Sequence, residues 1–83
     1  MKTENTSRPI YKIAQDIRKD WKKVYFGAVP YLNALSQLNT ADDSYWDDSA
    51  KSIIIYFLGN ATTWRGPVAK EIKAELKKIA GIK

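Results

Sequence analysis

The sequence predicts an all-α fold, a compact single domain of four helices with the third buried at its centre. Three observations carry that expectation. Apolar residues recur at spacings of three and four in two segments, residues 10 to 24 and 66 to 80. Between them lies a run that is apolar all round, Ile53-Ile54-Ile55-Tyr56-Phe57-Leu58, with no second strand-like run to pair with it. Pro30, Pro67 and Gly81 fall where helices start and stop. Eighty-three residues suit one domain, and a domain of that size buries only about 60% of the surface its unfolded chain exposes. Three Trp, five Tyr and two Phe supply the large side chains such a core needs.

Residues 1 to 8 are polar and without periodicity, and read as a flexible N-terminal arm before a helical domain spanning 9 to 83. Thr6 or Ser7 is placed to cap the first helix, whose stripe is Ile13, Ala14, Ile17, Trp21 and Val24. Gly27 interrupts the pattern, and Pro30 suits a first turn, where its missing N–H is not needed. A second helix is therefore expected from about Val29 to Leu38, burying Tyr31, Leu32, Leu35 and Leu38. Asn39 to Asp48 carries turn and cap chemistry, so the third helix should begin near Asp48 or Ser49. Its apolar run fits a buried helix or a buried strand; a length of roughly twelve residues without period-two alternation favours helix. Gly66-Pro67 opens the fourth, striped by Val68, Ile72, Leu76 and Ile79 with Ala69 and Ala80, and Gly81 ends it.

The composition argues against several kinds of chemistry. Without cysteine there is no disulfide, no thiolate nucleophile and no sulfur-ligated zinc. Without histidine, a general acid or base at neutral pH would need a strongly shifted carboxylate, lysine or tyrosine. No phosphate-binding glycine loop and no nucleophile elbow is present. A non-enzymatic protein with no cofactor and no metal is the expectation. No apolar run approaches the roughly 18 to 20 residues of a membrane span, and the polar start lacks a hydrophobic signal core. A cytoplasmic protein without membrane contact is expected. A net charge of +5 favours anionic partners.

Four groups of residues are candidates for binding. On the first helix, Lys12, Arg18, Lys19, Lys22 and Lys23 form an arc beside the apolar stripe, with Asp16 and Asp20 on the other flank. The fourth helix repeats the sorting, with Lys70, Lys73 and Lys77 on one arc and Glu71, Glu75 and Lys78 opposite. Packed side by side, the two helices would offer eight cations to a nucleic acid; otherwise these are solvated faces with i,i+3 pairs Asp16–Lys19, Asp20–Lys23 and Glu75–Lys78. Arg65 sits at the mouth of the fourth helix, where the helix dipole favours an anion, with Thr62 and Thr63 nearby. The competing expectation makes Trp64 a core anchor and pairs Arg65 with Asp47 or Asp48. Asp42, Asp43, Asp47 and Asp48 lack the ladder of a calcium loop and read as capping groups. Finally, Tyr11, Tyr25, Phe26, Tyr31, Tyr45 and Trp46 exceed what so small a core must hide, and form a candidate protein interface.

The strings KVYFGAVPYLNAL (residues 23 to 35) and YFLGNATTWRGPVAKEIKAEL (residues 56 to 76) resemble a group of small uncharacterised all-helical proteins of bacteriophages and integrative elements of Gram-positive bacteria. The similarity spans about residues 10 to 78, and its specific part is Phe-Gly-Ala-Val-Pro-Tyr-Leu and Trp-Arg-Gly. The resemblance implies a bacterial cytoplasmic setting and an accessory role, and transfers no catalytic residue. The expected function is binding of a macromolecule, first a host or element-encoded protein, alternatively DNA or RNA held nonspecifically by the basic faces of helices one and four. A homodimer through the aromatic surface is a further possibility.

Overall fold

The computed structural model describes residues 8–81. Four α-helices account for most of it: α1 (Ile10–Asp20), α2 (Val29–Leu35), α3 (Ala50–Gly59) and α4 (Pro67–Ala80). A 3-10 turn, Phe26–Ala28, leads into α2, and the two-residue strands Ser44–Tyr45 and Asp48–Ser49 pair as a small antiparallel hairpin before α3. The helices α1 and α3 each pack on both α2 and α4, closing a four-membered ring around one core. The fold is all-α and a single compact domain, as the periodicity predicts.

Local chemistry explains where most helices begin and end. Ser49 is the N-cap of α3, its hydroxyl accepting from the Ser52 N–H at 3.1 Å. Pro67 occupies the first turn of α4, and Gly81 closes that helix in a left-handed conformation at φ 74°. At the start of α1 the N-cap position is Pro9, and Thr6 and Ser7 lie outside the described residues. The free donors of that first turn are met by backbone instead, Ile10 N–H donating to Asn39 O at 3.0 Å and Tyr11 N–H to Leu38 O at 2.9 Å.

Two helices stop earlier than their apolar pattern. Periodicity carries the first helix to Val24, yet α1 ends at Asp20 and Trp21 leaves helical geometry at ψ 89°. Tertiary contacts hold that break: Trp21 stacks on Trp64 at 5.7 Å between ring centroids, and the Trp64 indole N–H donates to Asp20 at 2.8 Å. The second helix ends at Leu35 rather than Leu38, where the Ser36 hydroxyl donates to the Asn33 carbonyl and the chain tightens into i,i+3 bonds. Leu38 is buried nonetheless.

The core combines Ile13 and Ile17 of α1, Leu32 and Leu35 of α2, Ile53, Ile54 and Phe57 of α3, and Leu76 of α4, with Trp21 and Trp64 beside Phe57. The third helix is central to it. Its outer side, however, leaves Ile55 43% and Tyr56 47% exposed, although its sequence is apolar all round. Val68 in the fourth stripe is also exposed. No helix among the described residues is long and apolar enough to cross a membrane.

Candidate functional site

Antiparallel packing of α1 on α4 decides where the charges go. Arg8, just before α1, donates through Nε and Nη2 to both oxygens of Glu75 at 3.0 and 2.9 Å, and through Nη1 to Asp16. Asp20 at the far end of α1 meets Trp64, which precedes α4. The groove between these helices, about 370 Å³, is lined by Arg8, Asp16, Lys19, Asp20, Val68, Glu71 and Ile72. The two helices thus meet along their acidic flanks. Of the lysine-rich arcs, Lys19 borders this groove, whereas Lys73 turns to the α3–α4 connection and Lys22 and Lys23 lie past the end of α1, so the eight cations are divided.

Each arc borders a different neighbour. On α1, Arg18 donates to the Asn33 side chain of α2 and Lys12 and Lys19 are exposed, while Lys22 and Lys23, expected on the same helix, are exposed beyond its end at Asp20. On α4, the Lys73 ammonium donates to the carbonyls of Ala61 at 2.7 Å and Trp64 at 2.6 Å and lies 5.8 Å from the Trp64 ring centroid. Lys73 ties the α3–α4 turn, so two of the three ammonium donors that the sequence view left for a phosphate are used within the fold. Burial lowers its pKa, with repulsion from Arg65 and Lys77 adding to the effect. Lys70 and Lys77 are exposed beside it.

The expected i,i+3 pairs are not formed among the described residues. Asp16 and Glu75 are claimed by Arg8, and Asp20 by Trp64. The Arg8 guanidinium is held firmly protonated, first by its hydrogen bond to Glu75, and it lowers the Asp16 carboxyl below its ordinary value. Sequence assigned Arg8 to the arm. Its partner Glu75 is 67 residues away, so no local spacing signals the clamp.

Arg65 is exposed and reaches only the Thr62 carbonyl, at 3.4 Å; it pairs with neither Asp47 nor Asp48. Trp64 is the expected core anchor, 2% exposed. In the acidic stretch, Asp43 organises the loop by accepting from the backbone N–H groups of Asn39 and Thr40 at 2.8 and 3.0 Å. Those bonds, that of Thr40 foremost, lower its pKa. Asp42, Asp47 and Asp48 are exposed, and no group of carboxylates able to hold a metal occurs among the described residues.

The six candidate aromatics separate into three places. Tyr11 stands alone on α1 at the α2 border, while Tyr45 and Trp46 pack edge to face in the hairpin, near the start of α3. Tyr25, Phe26 and Tyr31 lie at the other end, where Tyr56, missed from the sequence, joins them. Tyr25 and Phe26 pack at 4.8 Å, and Tyr31 and Tyr56 at 5.5 Å. Gly27 connects the pairs to α3: a Cβ there would stand 2.6 Å from the Tyr25 ring and 2.9 Å from Asn60 Oδ1. Asn60 in turn donates to the Tyr56 carbonyl. Phe26 is 79% exposed, so this face carries unpartnered apolar surface.

The segments that build this face carry one sign of charge. Residues 21 to 41 hold Lys22 and Lys23 and no carboxylate, and residues 49 to 61 hold Lys51 and none. Every carboxylate among the described residues belongs to the α1–α4 groove or to the hairpin loop. Comparison with family models, curated proteins and solved structures gave no match. Fold and surface define a small helical protein with one aromatic, cationic face and one acidic, internally paired side.

Proposed function

We propose that this protein is a non-enzymatic binding module that docks an acidic segment of a protein partner on the α2–α3 face formed by Tyr25, Phe26, Tyr31 and Tyr56. The observation that carries this is the joint exposure of Phe26 and Tyr56 on segments that hold Lys22 and Lys23 close in sequence to Tyr25 and no carboxylate. Aromatic rings supply area at low entropic cost, and the lysines steer an acidic segment and exclude basic ones. The rings pack in tilted pairs at 55° and 44° rather than as a row of parallel platforms for successive bases. That favours a peptide over single-stranded nucleic acid. The divided lysine arcs weigh against duplex binding by helices one and four together.

The resemblance read from residues 23 to 35 and 56 to 76, to which the comparisons add no match, implies the setting of this proposal: an accessory protein acting in the bacterial cytoplasm on a host or element-encoded protein. Capture from bacterial lysate tests the function when wild type is run beside a Phe26→Ala/Tyr56→Ala variant, each with and without nuclease. One acidic protein retained stoichiometrically by wild type after nuclease, and lost by the variant, is the expected result. Loss of every partner on nuclease treatment, with the variant unchanged, would assign the protein to nucleic acid instead.

A further inference from the structure

The chain carries, at its opposite end, a segment with the chemistry the α2–α3 face requires. The hairpin turn Trp46-Asp47 projects an indole that is 87% exposed, with exposed Asp42, Asp47 and Asp48 around it. Trp46 is also held at φ 57°, the only residue other than glycine among those described with a left-handed backbone. The two-residue turn between Tyr45 and Asp48 demands positive φ at its first position, where glycine, Asn or Asp is the ordinary choice, so the bulky indole there is not selected by the turn. The tip is aromatic and acidic; the face is aromatic and basic.

One molecule cannot satisfy both itself. The hairpin leads directly into the N-terminus of α3, whereas Tyr25 and Gly27 meet Asn60 at its C-terminus. Ten helical residues, about 15 Å, stand between them as a rigid spacer. A second copy has no such constraint. A symmetric face-to-face dimer is disfavoured, because it would set Lys22 and Lys23 of one copy against those of the other.

We infer that this protein assembles head to tail, the Trp46 hairpin of one copy docking on the Tyr25–Phe26–Tyr56 face of the next. This rests on the reading of that face as a docking surface and names an occupant for it. The contact is heterologous, so it propagates into rings or open chains rather than stopping at two. It is also small: a few aromatic side chains bury less than the roughly 1,200 Å² of a standard interface, so association is weak and salt-sensitive. An acidic partner protein competes for the same face, which makes partner binding a way to dissolve the assembly.

Sedimentation velocity on the full chain tests this, over about 10 to 500 μM, the range suited to an interface this small. Wild type should grow beyond dimer with concentration and revert toward monomer in high salt. A Lys22→Glu/Lys23→Glu variant spoils the face, and Trp46→Gly spoils the tip while keeping a residue suited to positive φ. Each alone should stay monomeric with at least a ten-fold weaker association. Mixed in equal amounts they should form a one-to-one dimer and nothing larger, since one intact contact remains per pair. Circular dichroism confirms that both variants fold. A wild type that is monomeric throughout, or an assembly unaffected by Trp46→Gly, would overturn head-to-tail assembly. Titrating the same samples with a synthetic peptide of Glu, Leu and Phe separates the two failures. Peptide binding by a monomeric wild type keeps the face as a docking site and removes only the second copy; no peptide binding removes both.

Discussion

The α1–α4 side of this molecule joins two amphipathic helices and is closed, whereas the α2–α3 side joins a short helix to one that is apolar all round and is open. On the first, Arg8 bridges Asp16 and Glu75, and Asp20 accepts the Trp64 indole N–H, so much of the charged surface there is spent on internal partners. On the second, Lys22 and Lys23 are exposed, and Phe26, Ile55 and Tyr56 meet solvent. The difference shows that sorted charges on a helix do not announce a binding surface. What matters is which flank the neighbouring helix consumes, and here packing consumes the acidic flanks.

The largest effect is expected where both sides share the core. Phe57 and Ile54 are fully buried on α3, so Phe57→Asp or Ile54→Asp should cost more than about 4 kcal/mol and prevent folding, through an unpaired charge in an apolar interior. Loss of the helical circular dichroism signal checks this. Survival of a wild-type melting transition would mean that α3 does not hold the two sides together.

A smaller effect separates two lysines that the sequence treats alike. Lys73→Ala leaves the carbonyls of Ala61 and Trp64 without their donor, and should cost about 1 to 2 kcal/mol in urea unfolding. Lys77→Gln, on the same arc but exposed, should change stability by less than about 0.5 kcal/mol. Equal values would erase the distinction between cations used in folding and cations left free.

The clamp on the closed side gives a pH signature. Arg8→Gln should destabilise by about 1 kcal/mol at neutral pH, the modest worth of a third-exposed ion pair. Because Arg8 lowers the Asp16 pKa from its ordinary 3.8, this stability is present above about pH 4 and is lost as pH falls through the depressed folded value. The gap between wild type and Arg8→Gln should therefore close on acidification. A gap that widens below pH 4 would contradict the assignment.

The smallest effects belong to the open side, and their smallness is the point. Phe26→Ala should leave stability within about 0.5 kcal/mol of wild type, because the ring is mostly in water. Trp46→Gly should be neutral or up to about 1 kcal/mol more stable, relief of the left-handed strain outweighing the added backbone freedom. Thermal and urea unfolding measure both. A large loss in either would place that side chain in the fold rather than at an interface.

Features set by local chemistry were legible in the sequence. Ser49 as a cap, Pro67 in a first turn, Gly81 as a stop and Trp64 as a core anchor each depend on a residue and its immediate neighbours. The end of α1 at Asp20 was not legible, because the contacts that hold it come from Trp64, more than forty residues on. The helical wheel located the arc of α4 but extended that of α1 to Lys22 and Lys23, beyond its end at Asp20, and the separation of the two depends on which flanks meet. Tyr56 was hidden by its neighbours: in a run that is apolar throughout, nothing local marks the ring that faces water.

The contrast between the two sides is tested most directly by mapping amide NMR shifts in the isotope-labelled chain as an acidic Glu-, Leu- and Phe-containing peptide is added, with a Lys-for-Glu counterpart as control. Shifts from the acidic peptide alone, centred on Tyr25, Phe26, Tyr31 and Tyr56 and weakened by Phe26→Ala, are the expected result. Shifts centred on Asp16, Glu71 and Glu75, or an equal response to the basic peptide, would contradict an open cationic face opposite a closed acidic one.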